Sequence, residues 1–179
     1  MTSPTKAALR LSGRLLLPEI VHAERPIING GGAGAGQMRG GCYSPAMRTF
    51  ATRLRPGQDL NRELLDLAER ERIHAGWVLT CVGSLSRVTL RLAGAERRLT
   101  RDGTFEIVSL VGTISRGGGH LHLAASDEEG TTVGGHLLDG CVVRTTAEVV
   151  LGADERLVFD RRHDPETGYD ELVVGEQQP

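Results

Sequence analysis

Hydrophobic and polar positions alternate along most of this chain, and one segment breaks the alternation. MRTFATRL, from Met47, mixes apolar and polar positions in the alternating manner of a half-buried strand. Pro56-Gly57 punctuates it, and Asp59 is placed to cap a helix. In DLNRELLDLAERERI the apolar residues Leu60, Leu64, Leu67 and Ala68 recur at helical spacing, with charges on the other face, and Gly76 follows as a stop signal. WVLTCVG reads as a buried strand and RVTLRL alternates cleanly. FEIVSLVGTIS is a longer strand, HLHLAAS and TTVGGHLL form a hairpin, VVRTTAEVVL is another strand, and LVFDRR with YDELVV closes the series. Many strands, short connections and one helix able to cover a sheet face predict an α+β fold with a mostly antiparallel sheet.

The first 46 residues depart from this pattern. They end in the glycine-rich tract INGGGAGAGQMRGGCYSP, which has no apolar period. We therefore expect a flexible extension over residues 1–46 and one folded domain over 47–175, with Met47 an alternative start of translation. Charge divides the same way, about +3 for the extension and −5 for the remainder, against −2 for the whole chain. No run approaches the roughly 18 apolar residues of a membrane span. The early Leu15–Leu17 run is too short for the roughly 7–15 apolar residues of a secretory signal. Three cysteines, Cys42, Cys81 and Cys141, are odd in number and widely spaced, with no CxxC pair. Cys81 lies in an apolar run and reads as a reduced core residue. These features predict a cytoplasmic protein with no membrane partner.

The chemistry concentrates in GTISRGGGHLHLAASDEEGTTVGGHLLDGC. Six histidines occur in the chain, and three of them, His120, His122 and His136, fall within seventeen positions. The turn between them fixes a register. Asp127-Glu128-Glu129-Gly130 has Asp where a type I turn begins and Gly where the chain must turn left-handed, which makes a three-residue loop with a bulge. Asp127 and Thr131 then close the loop and His122 opposes His136, with Cβ atoms about 4.5–5.5 Å apart on one face. His120 shares that face, roughly 7 Å along the strand. The other face carries Leu121 opposite Leu137, with Leu123, Ala125 and Val133. A four-residue loop would send His136 to the leucine side instead.

Three converging neutral imidazoles suit zinc or another divalent transition metal and leave a coordination position open, where a water ligand is acidified to about pH 7. Asp139, Glu148 and Asp127 are candidate carboxylates for general-base or supporting roles. The bland readings are a solvated face for the histidines, a turn residue for Asp127 and a solvated strand position for Glu148. The glycines from Gly112 to Gly140 exceed what ordinary strands carry. Arg-Gly-Gly-Gly-His lacks the Lys-Ser/Thr and following helix of a phosphate loop. They more simply permit close backbone approach, to a ligand or to another subunit.

The stretch GTISRGGGHLHLAASDEEGTTVGGHLLDGCVVRTTAEVVL, with LRPGQDL before the helix and GWVLTCVGSL after it, resembles the PPC domain, a family shared by plants and prokaryotes. The likeness runs from about Met47 to Val173. It implies a compact antiparallel sheet with a flanking helix, a homotrimer, and a metal, zinc above others, held at the positions of His120, His122 and His136 near the subunit interface. Plant members carry DNA-binding AT-hooks, and prokaryotic members often bear a DNA-binding label by association. This sequence has no Arg-Gly-Arg-Pro core, and Glu24-Arg25-Pro26 does not match one. The acidic folded part and 3% aromatic content are poor nucleic-acid footprints, leaving only a local patch at Arg97, Arg98 and Arg101. Three functions follow as expectations. The first is a metal-site protein that binds a small molecule or performs hydrolase- or lyase-like chemistry. The second is a DNA-associated regulator, and the third is a structural oligomerisation module.

Overall fold

The computed structural model describes residues 20–22, 47–94 and 96–177. Nine strands and one helix follow in the order β1 (Ile20–His22), β2 (Met47–Leu54), α1 (Leu60–Arg70), β3 (Gly76–Arg91), β4 (Arg98–Ser115), β5 (Gly118–Ser126), β6 (Thr132–Leu137), β7 (Val142–Asp154), β8 (Leu157–His163) and β9 (Asp170–Glu176). The α+β class read from the sequence is the observed one. Of the expected N-terminal extension only β1 is described, and it pairs with β2; the rest lies outside the described residues.

Seven strands form one antiparallel sheet in the order β1-β2-β7-β3-β4-β5-β6. Its far end returns on itself, because β6 also pairs with the second half of β3 through Leu90↔Leu137 and Arg91↔His136. β3, β4, β5 and β6 therefore close a ring, and the histidine hairpin supplies two of its four staves. β8 and β9 make a separate two-stranded sheet.

Two predicted strands, WVLTCVG and RVTLRL, are one strand. β3 runs unbroken through both, with irregularities near Leu79, Ser84 and Ser86 where its pairing with β7 shifts. Such bulges bend and twist a strand without ending it, which lets β3 pair with β7 along one half and with β6 at its end.

The helix forms where its spacing places it. Leu60, Leu64, Leu67 and Ala68 are buried against the sheet, each leucine contributing about 2 kcal/mol by leaving water. Asp59 caps the start, its Oδ1 accepting from the N–H groups of Asn61 (3.0 Å) and Arg62 (3.1 Å). The end differs from the expected glycine stop. The helix closes at Arg70, with Arg72 in the left-handed region (φ 54°). Arg72 N–H bonds to Glu69 O and Ile73 N–H to Ala68 O, the double bond of a Schellman closure. Gly76 instead opens β3.

The same cap holds the strand ends next to the histidines. Asp59 Oδ2 accepts from Gly140 N–H at 2.5 Å, and Leu60 N–H donates to Cys141 O at 2.8 Å. The link from β6 to β7 is thus tied to the first turn of α1. The core runs continuously beneath, through Phe50, Leu85, Leu90, Ile114, Leu121 and Leu123. Cys81 and Cys141 are buried free thiols within it. No helix among the described residues is long and apolar enough to cross a membrane.

Candidate metal centre

The hairpin has the register its turn dictates. His122 opposes His136, Ala124 opposes Gly134 and Ser126 opposes Thr132. The loop is closed by Asp127 N–H to Thr131 O and Gly130 N–H to Asp127 O, both 3.0 Å. Gly130 supplies the left-handed residue (φ 82°). Leu121, Leu123, Ala125 and Leu137 are buried on the opposite face. A one-residue slip would exchange the two faces, so burial of the leucines and convergence of the imidazoles are one fact.

On the outer face the three rings form a cluster. Ring centroids lie 5.0 Å apart for His120 and His122, 5.2 Å for His120 and His136, and 5.7 Å for His122 and His136. One ring nitrogen from each lies within 4.8 Å of the others. The Nε2 atoms of His120 and His122 are 3.2 Å apart. Two nitrogens bound tetrahedrally to one zinc at about 2.05 Å stand about 3.3 Å apart, so this pair already has the spacing of ligands to a shared ion.

The electrostatics favour the ligating form. Burial, then Arg161, then His122 hold His120 below the usual imidazole range, against a smaller opposing pull from Glu171. His136 is pushed down to about 4 by burial first, then by Arg91 and the two other imidazoles. Both rings are neutral near pH 7 and offer lone pairs. The Nδ1 of His136 is buried without a hydrogen-bond partner, a state that costs about 1–3 kcal/mol. An all-imidazole donor set with an unsatisfied buried nitrogen fits a borderline transition metal such as zinc.

The carboxylates named from sequence go elsewhere. Asp139 Oδ1 accepts from Asn61 Nδ2 (2.8 Å) and Oδ2 from Arg62 Nε (3.0 Å); these bonds hold its carboxyl below the usual range. It fastens the β6–β7 link to the helix. Asp127 Oδ1 accepts from Glu129 and Thr131 N–H groups, so its carboxylate shapes the turn. Glu148 is exposed on β7, between Arg53 of β2 and Val82 of β3. None of the three belongs to the donor cluster.

Four other residues that the sequence reading did not single out surround the imidazoles. Arg91, Arg161, Tyr169 and Glu171 line the same cleft of about 630 Å³. Arg91 sits beside His136 because β3 pairs with β6. Arg161 reaches over from β8, donating from Nη2 to Thr113 Oγ1 at 3.0 Å, with Nη1 3.5 Å from His120 Nδ1. Alternation in RVTLRL placed Arg91 on the face opposite Leu90, but nothing local marked Arg161.

The glycines do allow close approach, chiefly between strands of this chain. A Cβ on Gly112 would stand 1.9 Å from His120 O, and one on Gly135 would stand 2.6 Å from Arg91 O. Gly117, Gly118, Gly119, Gly134 and Gly135 also line the histidine cleft, where they keep it open.

Comparison with known proteins agrees with this architecture. The family model of the Plants and Prokaryotes Conserved (PCC) domain, the PPC domain named above, matches residues 35–154. A curated relative, Bifunctional protein GlmU of Synechococcus sp. (strain JA-3-3Ab), is 46% identical over 129 residues, 72% of this chain and 21% of the relative. The chain thus spans about a fifth of that protein's length. A hypothetical protein from Salmonella enterica of known structure is 43% identical with a TM-score of 0.72, over 74% of this chain and 96% of that one. The metal-containing protein AF0104 from Archaeoglobus fulgidus shares the fold at 23% identity and a TM-score of 0.56, over 70% of this chain and 92% of its own.

Proposed function

The chain belongs to the Plants and Prokaryotes Conserved (PCC) domain family, and from that premise we propose a homotrimeric, cytoplasmic metal-binding protein that holds a divalent transition metal, zinc first, on His120, His122 and His136. The observation that carries this reading is the convergence of three imidazole nitrogens within 4.8 Å on two register-locked strands. The metal-containing character of the Archaeoglobus relative of the same fold supports it.

Three neutral donors leave the ion's charge uncompensated and one coordination position open, so a bound metal would supply a Lewis acid facing the cleft. The protein's own part is to hold three rings in ligating tautomers and to present a glycine-walled cleft large enough for a small molecule, about 630 Å³ against the usual ~300–1,000 Å³. That arrangement serves small-molecule binding or hydrolase- or lyase-like chemistry. The buried free thiols Cys81 and Cys141 suit a reducing compartment. For the trimer, the support beyond family resemblance is an exposed apolar stripe on β3 and β4, formed by Leu79, Val82, Val108 and Val111, a surface that association would remove from water. A sedimentation mass of three times the 19.2 kDa chain tests it; a monomeric mass overturns it.

Metal analysis tests the site. The protein prepared metal-replete and free of chelator should hold one ion per chain, and His120→Ala, His122→Ala and His136→Ala should each lose it while remaining folded. A parent protein without stoichiometric metal would refute the reading.

A further inference from the structure

Two arginines line the cleft of the histidine cluster. Arg91 and Arg161 are both half-buried, and neither forms an ion pair among the described residues. Their positions are set by opposite edges of the site. Arg91 is the ladder partner of His136. Arg161 is held on Thr113, the ladder partner of His120. Across the sheet the order is therefore Arg91, His136, the His122–His120 strand, then Thr113 with Arg161 above it. The acids at the rim are engaged with other residues. Glu171 Oε1 accepts from Thr167 Oγ1 at 3.0 Å, and Asp170 lies 3.8 Å from His163.

A half-buried guanidinium normally finds a carboxylate or phosphate, because its fork of donors is costly to leave unmatched. Here two of them line a cleft of about 630 Å³. Its floor is three imidazoles and six of its lining residues are glycine, so few side chains intrude. Two guanidinium groups outside any ion pair among the described residues and open space coincide at one place, with Asp170 and Glu171 in the same lining bonded to other residues.

We infer that the cleft binds a small molecule carrying an oxyanion group, a carboxylate or a phosphate, with Arg91 and Arg161 receiving it beside the position where the histidines hold the metal. The inference rests on the metal-site reading for the position of the reacting end, but the arginine pair stands on its own geometry. Arg91 would fix the ligand on the His136 side and Arg161 on the His120 side, leaving the uncharged part of the ligand under Tyr169. The second residue class of the site is thus a charge clamp that selects anions over neutral or cationic ligands of the same size.

The test uses the full chain, cobalt(II) as probe metal, and inorganic phosphate and acetate as probe anions. Phosphate is titrated into the cobalt-loaded protein, followed by the visible cobalt absorption, and into metal-free protein, followed by calorimetry. The expected result is saturable binding of phosphate, acetate or both, weakened at least about tenfold by Arg91→Gln and by Arg161→Gln. Cobalt stoichiometry and melting temperature should be unchanged in both variants. Arg161→Lys, which keeps the charge, should recover part of the loss. The ratio of phosphate to acetate affinity identifies which oxyanion the clamp prefers. If cobalt binds but neither anion saturates below about 10 mM, or if both Gln variants bind anions as the parent does, the inference is overturned. Failure of cobalt to bind would sink the metal reading alone. Arginine-dependent phosphate binding to the metal-free protein would then still uphold the clamp, and its absence would remove it. Because Arg161 also bonds to Thr113, the Arg91 variant, on a different strand, decides the matter should Arg161→Gln misfold.

Discussion

Gly112→Ala is the sharpest perturbation of the site, although Gly112 touches no ligand. The residue lies on β4 with φ 137°, opposite Leu121 of β5. A Cβ built there stands 1.9 Å from the carbonyl oxygen of His120 and 2.9 Å from Leu121 Cα. A tolerable C···O contact is about 3.3 Å, so β5 must retreat about 1.4 Å or β4 must twist away. Either movement stretches the bonds around Thr113↔His120 and Gly112↔Leu121. The backbone conformation costs an L-residue about 1–3 kcal/mol, and one or two weakened ladder bonds add about 1 kcal/mol each. The total is about 2–5 kcal/mol. For a folded unit of this size that lowers the melting temperature by about 10 °C. The same retreat, centred on His120 and Leu121, displaces His120 relative to His136 on β6 by several times the ~0.2 Å tolerance of a metal–ligand distance. Metal affinity should therefore fall at least about tenfold. Gly134→Ala is the control, because its Cβ would meet only Leu123 O at 3.3 Å and the Ala124 side chain beyond. Differential scanning calorimetry and competition with a metallochromic chelator measure the two quantities. A Gly112→Ala protein that melts within about 2 °C of the parent and keeps its metal affinity would refute this account of how β4 positions His120.

Asp59→Ala should cost about 2–3 kcal/mol in urea denaturation, since it removes the helix cap and leaves the Gly140 N–H without its acceptor; Asp59→Asn should recover much of the loss. Asp139→Asn should leave metal stoichiometry unchanged, because this carboxylate bonds to Asn61 and Arg62 and not to the ion site; loss of metal would restore it as a candidate. In chelator-treated protein, stability should fall as pH drops from about 6.5, the unfolded imidazole value, to about 4, where folded His136 protonates. Within that window the unfolded chain binds a proton that the folded chain refuses, so unfolding gains with acidity. His136→Leu should reduce the dependence and leave the part contributed by His120, also held low, and a native profile that is flat between these limits would contradict the placement of the rings.

The legible part of the molecule is the part decided locally. Four residues, Asp127 to Gly130, determine every pair of the β5–β6 hairpin, because period-two alternation propagates one turn geometry along both strands. His122 against His136 and the leucines beneath follow from that single choice. The helix was legible for the same reason, from its own spacing and cap. Its end was not, since Arg72 adopts a left-handed conformation without being glycine, and the closure depends on Ile73 being buried beneath. Closure of the ring through Leu90↔Leu137 and Arg91↔His136 depends on bulges that keep β3 continuous, and no local pattern encodes which distant strand a bent strand will meet. Docking of β8 on Thr113 is likewise a tertiary event. This division has a chemical consequence. The three histidines proposed as metal donors come from the locally determined hairpin, whereas the charges that would choose a ligand, Arg91 and Arg161, arrive on β3 and β8 from outside it. Asp139 and Glu148 have the right chemistry in the sequence, but the fold ties one to side chains in the first turn of the helix and leaves the other exposed on β7. The ability to hold an ion can therefore persist in a chain with this hairpin while the choice of ligand changes with two residues elsewhere. Substituting Arg91 and Arg161 should alter which anion is bound before it alters whether metal is.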